Sequence, residues 1–354
     1  MRKMLGWMFV AVVACRAASG DVWYVDVDNT TGPWDGLSWD TAYSDLQEAI
    51  RMAAASLFGA EAEVWVAQGT YGIPPDYDSL WMHDDVHLYG GFSGDELLRD
   101  ERDWTIHATI IDGTSFADSC VRAAHATLDG FQIINGSAAS SGGGMLVYDC
   151  SPVVSHCVFS NNHAPYYGGA IVNIGNSSPT ITDCSFRENS AGDAGGAVCT
   201  ALESGEAHFV GCTFEMNQAT SSGGALYQEE CVVDLSVCTF TGNNAGEYGG
   251  AICGIRNSST ITDCTFCANT AQEWGGAVFN LENSSTLDEC AFLENTANYG
   301  GAIYNVRASP TFSHCGFESN TATSKGGAIN NADNSSPGFA DCTFARNSSP
   351  SGGA

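Results

Sequence analysis

One pattern constrains this chain above all others. Cys-x-Phe-x-x-Asn, followed shortly by Gly-Gly-Ala, occurs eight times, with its cysteines at Cys157, Cys184, Cys212, Cys238, Cys264, Cys290, Cys315 and Cys342. The period is 25 to 28 residues, which places the chain among repeat architectures in which each unit buries its apolar face only against its neighbours. Helical repeats would not tolerate two glycines and several Ser/Thr/Asn clusters per unit, and the Leu-x-x-Leu-x-Leu frame of leucine-rich repeats is missing. Short β-branched and aromatic runs between glycine and asparagine punctuation read as strands and bends. Three short strands per period, wound as one coil, give a parallel β-helix whose coils stack about 4.8 Å apart.

Side-chain directions follow column by column. Cys and Phe at i and i+2 share one strand face, and their recurrence in every coil makes that face the core. Three residues before each Cys stands another apolar residue, from Val154 and Ile181 to Phe312 and Phe339. The odd spacing requires a bend between two inward-pointing residues. After Gly-Gly-Ala comes an aliphatic column (Ile171, Val198, Leu226, Ile252, Val278, Ile303, Ile329), also inward. The Asn of each unit falls at a bend, where stacked amides can bond coil to coil and satisfy turn backbone.

Gly-Gly-Ala-Ile paired with Phe-x-x-Asn resembles the repeat of the polymorphic outer-membrane proteins of chlamydiae and related bacterial surface proteins, from about Gly142 onward. The front of the chain is similar to pectin-lyase-like secreted β-helix proteins of environmental bacteria, through "WYVDVD", "SWDTAYSDLQEAI", "VWVAQGTY", "VHLYGGFSGDE" and "RDW". Together these resemblances imply an all-β chain: a single-stranded right-handed parallel β-helix solenoid with an N-terminal helical cap. The chlamydial family also carries a C-terminal autotransporter barrel, which is not seen before residue 354, so barrel insertion is not among the expectations.

The first twenty residues pair Arg2 and Lys3 with an apolar run and small residues, the pattern of an export signal. "VVAC" also resembles a lipoprotein box, with Cys15 as the acylated residue. The stretch 39–55 reads as an amphipathic helix with Ala42, Leu46, Ala49, Ile50 and Ala53 on one stripe, covering the open end of the stack. Strands are expected at 64–67, 86–89, 109–112 and 126–134. The organisation is then a signal at 1–20, a cap and irregular first coils at 21–120, and β-helix repeats at 121–354.

Acidic residues outnumber basic ones 41 to 12, a formal charge of −29. That field repels nucleic acid and anionic lipid. With no long apolar stretch after the signal, no transmembrane helix is expected, and the chain reads as a monomer. The fifteen cysteines would suggest disulfides in an exported chain, but side chains in stacked parallel strands project side by side, a poor fit to the disulfide dihedral. A ladder of buried thiols is the favoured reading.

For catalysis, the column preceding each Cys holds the best carboxylates. Asp263 and Glu289 lie one coil apart there and form a weak calcium candidate. No basic residue is accompanied by clustered aspartates, as a polysaccharide lyase would need, and no set of carboxylates converges as in glycoside hydrolases. No cofactor or catalytic residue is assigned. The surface singled out is an outward column through Tyr227, Phe279 and Tyr304, flanked by amides including Asn280 and Asn305, suited to sugar rings or a partner surface. The resulting expectation is a non-catalytic exported surface or matrix protein that binds a cell-surface glycan or protein. The alternatives are a carbohydrate-active enzyme of the pectin-lyase class and a passive stalk.

Overall fold

The computed structural model describes residues 21–57, 60–72, 77–116, 118–201, 204–352. The expected signal at 1–20, with Cys15, lies outside them. The chain winds as a solenoid whose strands stack into four parallel sheets of twelve, eleven, seven and ten strands. Each repeat thus carries three full strands, as expected, and a further two-residue strand such as Ser190–Ala191. That extra strand follows the Asn bend and escapes sequence reading because two residues have no periodicity.

The corners are built from left-handed residues. The residue before each repeat Cys has positive φ, from His156 (51°) and Asp183 (51°) to His314 (53°) and Asp341 (51°). So does the residue before each repeat Asn, as at Glu188 (54°) and Glu294 (57°). A single αL residue reverses the side-chain alternation, which is how Val154 and Cys157 both point inward across an odd spacing.

Stacking is in register along the whole solenoid. Phe159, Phe186, Phe214, Phe240, Phe266, Phe292, Phe317 and Phe344 pair successively. Neighbouring rings from Phe214 to Phe317 lie 4.6–4.9 Å apart and within 7° of parallel. Each buried ring contributes roughly 1.5–3 kcal/mol by burial and about 0.5–1.5 kcal/mol more by stacking.

The Asn column is a buried ladder. Asn189 Nδ2 donates forward to Asn217 Oδ1 (3.0 Å) and back to the Phe159 carbonyl (3.0 Å), while its Oδ1 accepts from the Asn162 backbone N–H and amide (both 3.0 Å). The same bonds recur at Asn217, Asn243, Asn269 and Asn295. Every polar atom of these interior amides is therefore used, which removes the penalty of burying them.

The repeat cysteines are free thiols, buried from Cys157 to Cys315. Cys212 Sγ sits 3.4 Å from the Ile181 carbonyl of the preceding coil.

The expected cap is present but shorter. Trp39–Thr41 forms one 3₁₀ turn, and the α-helix runs Leu46–Ser56. Asp45 delays its start by capping the Glu48 N–H. Leu46, Ala49, Ile50 and Ala53 join the core of the first coils, against Val22–Val25, Ala62–Ala67 and Val86–Phe92. Strands appear at Thr109–Asp112, Thr127–Asp129 and Phe131–Ile134, Gly130 dividing the last two. Arg102 of the "RDW" segment straps these coils together. It donates to the Gly90 carbonyl (2.8 Å), pairs with Asp129 (3.0 Å) and lies over the Trp104 ring. Among the described residues, no helix is long and apolar enough to cross a membrane.

Candidate functional site

Seven strands of the ten-stranded sheet follow Gly-Gly-Ala, from Ile171–Ile174 to Ile329–Ala332. Within each, the first and third residues point into the solenoid and the second and fourth outward. The first glycine makes this arrangement possible. Gly249 has φ 63°, and a Cβ there would collide with the Ile252 carbonyl. The sharp reversal folds the residue before the glycine back over the outer face of the strand that comes after it.

Those preceding residues form a column of their own: Tyr167, Ala194, Ser222, Tyr248, Trp274 and Tyr299, joined by successive parallel bridges. Where they are aromatic they pack on the outward strand residues. Tyr248 stacks on Trp274 (centroids 4.9 Å) and meets Phe279 edge-on (4.7 Å); Phe279 stacks on Tyr304 (6.0 Å), and Tyr299 meets Tyr304 edge-on (6.3 Å). At Ala194 and Ser222 the column has no ring, and the outward Val172 and Cys199 are buried instead among Leu146, Ile174 and Tyr227.

A cavity of about 520 Å³ opens there, lined among others by Tyr166, Tyr167, Val172, Cys199, Tyr227 and Glu229. A second, of about 420 Å³, shares Tyr167 and Tyr227 and continues over Ser222, Tyr248, Cys253 and Phe279. Together they make one groove along the solenoid axis. Its floor is apolar, and Tyr166 and Tyr167 stand exposed at its rim.

The polar features are few and oriented. Tyr227 donates its hydroxyl to Glu229 Oε2 (2.8 Å), and Arg256 from the next coil holds the other carboxylate oxygen (2.6 Å) while also binding Glu230 (2.7 Å). Burial, reinforced by Glu229, pushes the Tyr227 hydroxyl above its ordinary range, so it stays a neutral donor. Burial and the Asp193 carboxylate do the same to Tyr167. Cys199 is raised by burial and forms inert apolar floor.

The expected stripe therefore needs correction. Tyr227, Phe279 and Tyr304 do share the outward face, but Phe279 is only 5 % exposed, covered by the Tyr248 and Tyr304 rings. Asn280 and Asn305 point inward and are buried; Asn280 donates to Asn305 (2.9 Å) and Asn305 to Asn331 (2.8 Å), an interior ladder rather than a binding edge. Asp263 and Glu289 are exposed left-handed corner residues. The described three-donor cluster lies elsewhere, at Glu206, His208 and Asp234. The wall residues Tyr167, Tyr248, Trp274 and Tyr299 were missed. Their signal is an aromatic directly before Gly-Gly-Ala, once at Tyr167 and then in three successive repeats from Tyr248 to Tyr299.

Residues 97–257 match the right handed beta helix region. Residues 263–281, 289–306 and 317–332 match the Chlamydia polymorphic membrane protein repeat. No curated protein matches the chain. Among solved structures it is similar to PfbA, a surface adhesin of Streptococcus pneumoniae, at 10% identity and TM-score 0.39, covering 85% of this chain and 86% of that one. It is also similar to the mannuronan C-5 epimerase AlgE4 A-module of Azotobacter vinelandii, at 13% identity and TM-score 0.35, covering 93% and 97%. With its sheets, corners and ladders already described, the chain is a right-handed parallel β-helix carrying polymorphic membrane protein repeats.

Proposed function

We propose that this is an exported, non-catalytic surface or matrix protein that binds a neutral glycan in the groove between Tyr167 and Tyr248. The observation that carries this reading is the interruption of the aromatic wall at Ala194 and Ser222, where an apolar-lined cavity opens between the exposed Tyr167 and the half-exposed Tyr248. Concave sites with aromatic lining and a few fixed polar groups are the usual form of small-ligand sites. Tyrosine rings offer a flat apolar face for a sugar ring and a hydroxyl for its edge.

The charge selects among sugars. Asp118 and Glu229 line the larger cavity and Asp193 the smaller, on a chain of charge −29. Uronic acids and sialic acids would meet repulsion, whereas neutral sugars present hydroxyls that these carboxylates accept. The polymorphic membrane protein repeats support a place at the cell surface, as does the expected signal.

A glycan-array screen of the full chain, repeated with Tyr166→Ala and Tyr167→Ala, tests the reading. Both side chains are exposed, so their loss should abolish binding without unfolding. Binding confined to acidic glycans, or none at all, would overturn it, the latter in favour of a passive stalk. Polysaccharide turnover that disappears in Glu229→Gln would replace it with the enzyme reading.

A further inference from the structure

On the twelve-stranded sheet, whose strand comes next after the groove strand in each coil, one outward column between Thr180 and Thr311 is built on threonine: Thr180 before, and Thr260, Thr286 and Thr311 after. Two consecutive positions break it. His208 pairs in register with Thr180 on one side and with Asp234 on the other. These coils also have longer strands, Glu206–Val210 and Val232–Ser236, against three residues in the following coils. The extension adds Glu206, two residues before His208 and so on the same face.

We propose that Glu206, His208 and Asp234 form a site for a first-row divalent cation, with zinc as the best fit. One ligand atom from each lies within 4.8 Å of the others. The Asp234 carboxylate is already oriented, because its Oδ1 accepts the Thr260 N–H at 2.9 Å. That leaves Oδ2 facing His208 Nδ1 at 3.8 Å. This is too long for a hydrogen bond, and within the reach of two ligands each about 2.1 Å from a shared ion.

The donor set is one imidazole and two carboxylates. Imidazole favours zinc, nickel and copper, whereas calcium and magnesium take all-oxygen shells. Three protein ligands on a half-exposed face leave a position open to water or a ligand. The ion would tie adjacent coils together across the sheet, and the acidic field of the whole chain would draw cations to it.

The test is calorimetric titration of the full chain with zinc chloride, after alkylating the partly exposed thiols Cys267 and Cys342. Cobalt is the spectroscopic probe. One zinc per chain is expected, with affinity falling at least tenfold in His208→Ala and in Asp234→Asn, and with visible cobalt bands that vanish in His208→Ala. Glu289→Gln, at a corner of the same acidic surface, should change nothing. Circular dichroism without metal checks that the variants fold; His208→Gln is the second variant if His208→Ala does not. Absence of binding, or zinc binding that survives loss of the imidazole, would show only diffuse attraction to an acidic surface and overturn the site.

Discussion

Tyr248 and Trp274 stack with ring centroids 4.9 Å apart and planes 15° from parallel, although each is simply the residue before a Gly-Gly-Ala turn in neighbouring coils. The pairing shows what the wall column does when it is aromatic: it seals the outer face of the sheet. Ser222 is the bridge partner of Tyr248 on the other side, and its small side chain leaves room for the cavity beside Tyr227.

Ser222→Trp should therefore extend the stack by one ring and close the groove over Tyr227. The expected outcome is loss of glycan-array signal with an unchanged or raised melting temperature, because the new ring covers apolar surface. Undiminished binding in a folded Ser222→Trp chain would remove this groove as the binding site.

Phe266 is fully buried between Phe240 (4.9 Å) and Phe292 (4.8 Å). Phe266→Ala should cost about 3–5 kcal/mol through the cavity and the lost stacking. Because each coil contacts only its neighbours, the damage should spread along the axis, visible as faster hydrogen exchange in the coils on either side.

The fold was legible because a solenoid writes its core as columns. Cys, Phe, the aliphatic residue after Gly-Gly-Ala and the Asn each repeat at one position, and all four are buried except in the last coil, where Cys342, Phe344 and Asn347 are partly open to solvent. The outer layer was less legible. Period-2 alternation correctly placed Tyr227, Phe279 and Tyr304 outside, but alternation cannot say what folds back over them. Asn280 follows Phe279 directly, so the same alternation puts it inside; polarity suggested the opposite, and the coil-to-coil amide bonds reverse that expectation. The His208–Asp234 pair belongs to no motif of its own, since only the register of two strands in adjacent coils brings it together.

The Asn ladder predicts an unusually costly polar substitution. Asn243 Oδ1 accepts the backbone and amide donors of Asn217, and its Nδ2 serves the Phe214 carbonyl and Asn269. Asn243→Ala would orphan several buried groups at about 1–3 kcal/mol each, so a loss of about 3 kcal/mol or more is expected in denaturant titration. A loss below about 1 kcal/mol would mean that water replaces the amide.

The thiol ladder should be silent until the protein unfolds. The repeat thiols from Cys157 to Cys315 are buried, which denies a reagent access even at Cys238 and Cys315, where hydrogen bonds from neighbouring thiols lower the ordinary value, and burial pushes Cys184 well above it. Native labelling should reach Cys267 and Cys342 alone among the described cysteines, and unfolding without reductant should expose the rest. Recovery of the repeat cysteines as blocked pairs would establish disulfides instead.

One pH response follows from a corner of the solenoid. His314 Nδ1 lies 3.0 Å from Asp288 Oδ1, and its Nε2 lies 3.9 Å from Asp341. The hydrogen bond to Asp288 holds His314 above its ordinary 6.5. The same bond, with a second from Ser313 (2.6 Å), holds Asp288 below 3.8. A raised histidine stabilises the fold fully below 6.5, and the contribution fades as pH climbs through its folded value. A depressed aspartate stabilises above 3.8, and its contribution fades as pH falls through its folded value. The pair therefore acts in the window between, and its loss on the alkaline side comes from the imidazole. Both groups are solvent-exposed, so the effect on melting should be small and is best read by NMR. In Asp288→Asn the His314 titration should fall back toward 6.5, and the slope of melting temperature between about pH 6 and 8, where histidines titrate, should flatten. An unchanged His314 titration in that variant would show that the contact to Asp288 does not persist in solution.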